Sequence, residues 1–268
     1  MPTTAEYSLF GDNAYGGPLG SKLKHELPGS WRKMHLPIDP LHLDNSITGF
    51  RAHIYQNAEK KEVVIAFAGT NLADRGDLSA IGEIIAGHEP IQFNNAFTTY
   101  NAVKLHLTRK NEKAKLSLTG HSLGGALAQY MAIAVQGLPA ETFGAPGILQ
   151  ALEKLRDQYD SGYPYPVVNH VALGDPIGMY GMHLGETRHY ALDAVDFFMP
   201  VALPYLIRRL VVAGLMSYRG HTMDRYFHSF RQPGESLQPT GKVTYKNGKR
   251  YEIFKKFNWS GVAIDEYI

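Results

Sequence analysis

The chain has 268 residues, 44% of them hydrophobic and 19% charged, which suits a globular protein with a sizeable core and excludes a mainly disordered one. A formal net charge of only +2 gives no polyanion signal, so no nucleic-acid partner is expected; the one basic group, Lys246, Lys249, Arg250, Lys255 and Lys256, reads as a solvated face. The absence of cysteine excludes disulfides, thiolate metal sites and a cysteine nucleophile. Met1 to Gly20 has no basic stretch followed by an apolar one, so it does not read as a Sec-type leader. The expectation is a cytoplasmic protein, one exported without a cleaved leader, or a chain already mature.

The segment through Asn45 is rich in Gly, Pro and His and is expected to pack over the core rather than form it. Arg51 to Gln56 reads as a strand and Glu59 to Lys61 as a turn. Glu62 to Phe67, a continuous run with β-branched residues, reads as a strand covered on both faces. Leu78 to Ala86 suggests a short helix. Asn95 to Arg109 suggests a longer one, with Phe97, Tyr100, Val103 and Leu107 on one face. Lys115 to Thr119 is a short strand, Gly125 to Gln136 a small, apolar, buried helix, and Pro139 to Phe143 and Val167 to Leu173 further strands. Strands alternating with helices predict βαβ units, a mostly parallel central sheet and an α/β fold, read as a single domain over residues 1–268. Val243 to Phe254, with Asn247-Gly248 between two alternating runs, predicts a C-terminal β-hairpin.

Gly120-His121-Ser122-Leu123-Gly124 carries the chemistry. It is a G-x-S-x-G sequence between a predicted strand and a predicted helix, the setting of a nucleophile elbow. A serine at so sharp a turn has a strained backbone, and the residues two before and two after it crowd each other, so both must be small. The hydroxyl is expected to be exposed at the carboxyl end of the strand, over a helix N-terminus that favours developing negative charge. A serine needs a base to take its proton and a third group to orient that base. In the chain order that accompanies this elbow the acid follows the serine and the histidine comes last. Asp175, in Gly174-Asp175-Pro176 just after a strand, fits the acid; Asp160, Asp193 and Asp196 are rivals. Among His183, His189, His221 and His228, the choice falls on His221, in Gly220-His221-Thr222 after a strongly apolar segment.

These residues resemble the class 3 lipase family of the α/β-hydrolase superfamily. Four stretches carry the likeness: Phe67 to Thr70, Leu118 to Ala128, Thr142 to Pro146, and His170 to Pro176. It spans about Tyr7 to Phe227, and its nucleophile stretch is the specific part. The resemblance implies Ser122 as nucleophile, Asp175 as orienting acid and His221 as base, supported by Tyr226-Phe227. It also implies backbone N–H groups of Thr70 and Leu123 as the oxyanion hole, where losing one donor commonly costs about 3 kcal/mol. Two departures fall where the family's lid begins: Ala68 stands where many members have arginine, and Asp74 to Asp77 lacks the tryptophan often found there.

Between the acid and the base lies an apolar insert, residues 197–218. Pro200, Pro204 and the pair Arg208-Arg209 argue against a membrane span. It reads as a buried helix over the sheet, as a cap lining an acyl pocket, or as a segment touching a lipid surface when a lid opens. The leading expectation is a hydrolase of lipid acyl esters, lipase- or phospholipase-like, working through an acyl-enzyme without metal or cofactor and with at most transient contact with a lipid interface. The alternatives are a leaderless lipase toxin with an immunity partner and an inactive, lipid-binding hydrolase fold.

Overall fold

The computed structural model describes residues 1–16, 23–69, 91–149, 165–173, 175, 177–190, 223–231, 241–246, 249–257 and 263–267. The expected helix 78–86 and the insert 197–218 lie outside them. A first helix, α1 (Thr4–Asn13), is followed by β1 (Trp31–Lys33), a 3-10 turn (Pro40–His42), β2 (Asp44–Asn45), β3 (Phe50–Asn57) and β4 (Glu62–Phe67). Next come α2 (Gln92–Arg109), β5 (Lys115–His121), α3 (Leu123–Ala134), β6 (Ala140–Phe143), β7 (Val167–Ala172) and β8 (Glu186–Tyr190). The described chain ends with α4 (Met223–Arg231), β9 (Gly241–Lys246), β10 (Lys249–Phe257) and β11 (Ala263–Tyr267).

The sheet order is β1-β3-β4-β5-β6-β7-β8-β9-β10-β11, with β2 paired to β3 off this path. Its centre, β4 to β8, is parallel. Antiparallel strands extend it at both ends. Parallel neighbours cannot be joined by tight turns, which is why a helix or long connection separates each such pair. β9 and β10 pair antiparallel with Lys246 opposite Lys249; the two residues joining them, 247 and 248, lie outside the described set.

Strand β4 shows how the two faces are covered. Val63, Ile65 and Phe67 belong to one apolar cluster, shared with Phe93, Tyr100 and Val103 of α2 and Leu127 and Met131 of α3. Val64 and Ala66 belong to the other, shared with Tyr7 and Phe10 of α1 and Tyr226 and Phe227 of α4. Successive side chains of a strand point to opposite faces, so a continuous apolar run is what a sheet sandwiched between helices needs.

Two expectations require correction. The N-terminal segment is part of a core: Tyr7, Leu9, Phe10 and Trp31 are buried. Local anchoring explains why a polar, Gly-rich region packs so deeply. Thr3 and Glu6 form a capping box on α1, and Glu6 also accepts the indole N–H of Trp31 at 2.9 Å. Phe10 then stacks on Tyr55, their ring centroids 4.7 Å apart. On α2, Tyr100, Val103 and Leu107 are buried as expected, but Phe97 is not. The helix begins three residues before Asn95 and adds Phe93 and Ala96 to the inward face, while Phe97 is exposed at 42%.

Candidate active site

β5 delivers Ser122 to the carboxyl edge of the parallel strands, and α3 starts immediately after it. Ser122 has φ 55 and ψ −127, a conformation that L residues rarely adopt. It is held there from both sides. Its N–H bonds the carbonyl of Phe143 at 3.0 Å, and its own carbonyl accepts from Gly125 N and Ala126 N at 3.0 and 3.1 Å. Its side chain makes no capping bond to α3. The crowding predicted for the turn is present: a Cβ on Gly120 would fall 2.3 Å from the carbonyl carbon of Gly124. Leu123 is the first residue of α3. Thr70 lies outside the described residues.

The expected exposure of the serine needs correction: Ser122 is only 2% exposed. The end of β4 and the tail of α1 close over the turn. A Cβ on Gly69 would meet the Tyr15 hydroxyl at 2.2 Å, the His121 carbonyl at 2.4 Å and the Ser122 Cβ at 3.0 Å.

Asp175 follows β7, two strands along the same edge, and is fully buried. One carboxylate oxygen accepts the backbone N–H groups of Ile177 and Gly178, each at 3.0 Å. The other accepts the Tyr226 hydroxyl at 3.2 Å. That hydroxyl in turn accepts the N–H of Ala172 at 2.9 Å, so a single phenol on α4 is tied both to the acid and to the strand before it. Gly144, at φ +53, makes the approach possible: a Cβ there would fall 2.8 Å from Asp175 Oδ2. The residue before it, Phe143, is the one that holds the Ser122 N–H, so the end of β6 lies between serine and acid.

Asp160, Asp193, Asp196 and His221 lie outside the described residues. The rival histidines occupy distinct settings. His183 is buried and donates its Nε2–H to the Ala145 carbonyl at 2.7 Å. Burial outweighs that bond and pushes its pKa down to about 4. His189 is buried near the end of β8. His228 is exposed on α4, its ring edge-on to Phe227. Among the described residues no group of three or more His, Asp or Glu could hold a metal ion, and no helix is long and apolar enough to cross a membrane.

The resemblance ties Tyr226 to the base; in the structure its hydroxyl is on the acid. Nothing in the sequence singles out Tyr15. It lies in a polar, Gly-rich stretch, and its hydroxyl sits 2.7 Å from His121 Nδ1 across 106 residues of chain. No local pattern encodes a contact of that range.

Among protein families, a phospholipase-like model described as a Tle-like phospholipase domain matches residues 7–161. Extracellular phospholipase A1 of Serratia liquefaciens is 38% identical over 111 residues, 41% of this chain and 32% of that protein. The chain spans about a third of the length of the curated relatives it matches. Among solved structures, the nonglycosylated LIP2 lipase of Yarrowia lipolytica is similar with a TM-score of 0.48 and 16% identity, covering 71% of this chain and 78% of that one. A lipase of Rhizopus microsporus var. chinensis is similar with a TM-score of 0.44 and 17% identity, covering 60% of this chain and 61% of that one.

Proposed function

The chain belongs to the Tle-like phospholipase family, with a class 3 lipase-like α/β-hydrolase fold, and we propose that it hydrolyses carboxylic esters of lipids, phospholipids included, with Ser122 as nucleophile. The observation that carries this reading is the elbow itself: a serine at φ 55, between a parallel strand and a helix, on the same sheet edge as a buried aspartate held by hydrogen bonds from Ile177, Gly178 and Tyr226. Backbone strain of this kind costs about 1–3 kcal/mol and persists only where neighbouring structure imposes it. The phospholipid substrate is drawn from the name of the Serratia relative.

In this mechanism Ser122 Oγ attacks the ester carbonyl carbon while His221 takes its proton. Asp175 orients the imidazole and stabilises the imidazolium that forms. The N–H groups of Thr70 and Leu123 stabilise the oxyanion, the first from the chain after β4 and the second from the start of α3. Collapse of the tetrahedral intermediate breaks the C–O bond, and the alkoxide leaves with the proton held by His221. Water, deprotonated by the same histidine, then releases the fatty acid. His221 is preferred to His183 because the Nε2–H of His183 is bonded to the Ala145 carbonyl, and burial lowers its pKa to about 4, which makes that ring a weak base. The reading takes residues 1–268 as one domain and 197–218 as the cap beside the acyl chain.

The test is hydrolysis of nitrophenyl esters of increasing acyl length, and of phosphatidylcholine in mixed micelles, by wild type and Ser122→Ala. Activity that favours long chains and disappears with the substitution is the expected result. Hydrolysis that survives Ser122→Ala, or no hydrolysis of any ester by the wild type, overturns it.

A further inference from the structure

His121 immediately precedes the nucleophile, and its side chain is buried. It lies between two tyrosines from opposite ends of the chain. The Tyr15 hydroxyl, just beyond the end of α1, is 2.7 Å from His121 Nδ1, and the two rings are 5.8 Å apart at 60°. On the other side the Tyr226 ring lies 6.0 Å away at 57°. Tyr15 is itself placed by the helix before it, its N–H bonding the Asp12 carbonyl at 3.2 Å. Asp12 is buried, ion-paired to Lys24 at 2.9 Å and hydrogen-bonded to the His25 ring at 2.6 Å. The His25 ring stacks on Phe227, 4.2 Å between centroids, so the tail of α1 is locked to α4 independently of Tyr15. The same phenol oxygen faces Gly69, at the point where β4 approaches Ser122.

From this geometry we infer that Tyr15 is a positioning residue for the nucleophile. Its phenolic O–H donates to His121 Nδ1 and fixes the side chain that precedes the strained serine. It thereby sets the direction of Ser122 Oγ relative to the end of β4. The inference rests on Ser122 being the nucleophile. A helix that contributes nothing to the chemistry is thus coupled to the reacting serine through one hydrogen bond. Removing the bond leaves the fold and the substrate-binding surface in place but loosens the serine. The effect belongs in kcat and in the rate at which Ser122 is acylated, not in KM.

The experiment measures kcat and KM on a nitrophenyl ester, and the rate of covalent labelling by a fluorophosphonate, for a set of variants. Tyr15→Phe removes only the hydroxyl. His121→Leu removes the acceptor, and His121→Asn restores a polar atom near the place of Nδ1. We expect Tyr15→Phe and His121→Leu each to lower kcat and labelling about tenfold with KM within about twofold, and the double variant to lose no more than either single one. His121→Asn is expected to recover most of the loss. Wild-type kcat in a folded Tyr15→Phe, or losses that multiply in the double variant, overturn the inference. If Tyr15→Phe fails to melt cooperatively, His121→Leu against His121→Asn decides alone: equal losses overturn it, recovery in the asparagine variant supports it. Ser122→Ala separates the two readings. Activity and labelling that persist without Ser122 refute the serine-hydrolase assignment itself, whereas a dead Ser122→Ala beside a fully active Tyr15→Phe refutes only the role of Tyr15.

Discussion

Tyr226→Phe removes one oxygen from the centre of the structure and leaves everything else in place. The ring keeps its edge contact with Phe143, 5.9 Å between centroids, and its place beside His121. Two bonds are lost. The Ala172 N–H, bonded to the phenol at 2.9 Å, loses that acceptor in the core. Asp175 keeps the N–H groups of Ile177 and Gly178 but loses the donor on its other oxygen. A buried group left unsatisfied costs about 1–3 kcal/mol, so the expected destabilisation is about 2 kcal/mol, or about 4–8 °C in Tm for a protein of this size. Asp175 still occupies its pocket but is less firmly oriented, so kcat should fall about tenfold, far less than the roughly 10³-fold or greater loss on removing such an acid outright. Thermal melts and ester hydrolysis on the same preparations check both numbers. A Tm within about 1 °C of wild type together with kcat within about twofold would refute the reasoning, since the hydroxyl would then be holding neither the strand nor the acid.

The elbow gives a second prediction: Ser122→Gly and Ser122→Ala both abolish hydrolysis, but only glycine relaxes φ 55, so its Tm exceeds that of the alanine variant by a few degrees, equivalent to about 1 kcal/mol. Gly120→Ala forces a Cβ to within 2.3 Å of the Gly124 backbone, and loss of both activity and several °C in Tm is expected from melts and assays in parallel. His183→Gln should retain most activity while His221→Ala loses it; the reverse ranking in a kcat comparison would make His183 the base. Stability should also depend on pH in a defined window. Burial holds His183 at a pKa of about 4 and, with the charges of Lys33 and Arg51, His53 at about 3, against an ordinary 6.5. The unfolded chain therefore binds more protons in between, so the contribution of these two histidines is fully present above pH 6.5 and is lost as pH falls from 6.5 toward 4 and then 3. His183 alone accounts for about 3 kcal/mol of that loss, and His183→Gln should flatten the fall in Tm between pH 6.5 and 4.

What the sequence makes legible is local. The run from Glu62 to Phe67 reads as a doubly covered strand because nothing but apolar residues follows Glu62 in it, and every residue of the run is buried. The pentapeptide around Ser122 announces its own turn, since only small residues at 120 and 124 let a strand reverse into a helix within so short a length. Asp175 is legible as a carboxylate just past a strand. The face of α2 is legible in Tyr100, Val103 and Leu107 but not in Phe97, and its start at Gln92 is not, because the periodic pattern does not mark where a helix without a side-chain cap begins.

Only the tertiary structure decided the roles that depend on contact across the chain. That the polar N-terminal segment enters the core follows from Glu6 meeting Trp31 and from Asp12 meeting Lys24 and His25, bonds between side chains whose separations no periodicity encodes. Tyr226 is visible in the sequence shortly after the expected base, but its hydroxyl reaches Asp175 because α1 and α4 pack on the same face of the sheet. Tyr15 and His121, separated by 106 positions, meet for the same reason. The amino-acid sequence by itself determined which residue types stand at the ends of which strands, because turn sterics and hydrophobic period act over a few residues. Which hydroxyl touches which carboxylate or imidazole was decided by the packing of helices on the sheet, where small shifts in burial select among many chemically equivalent partners.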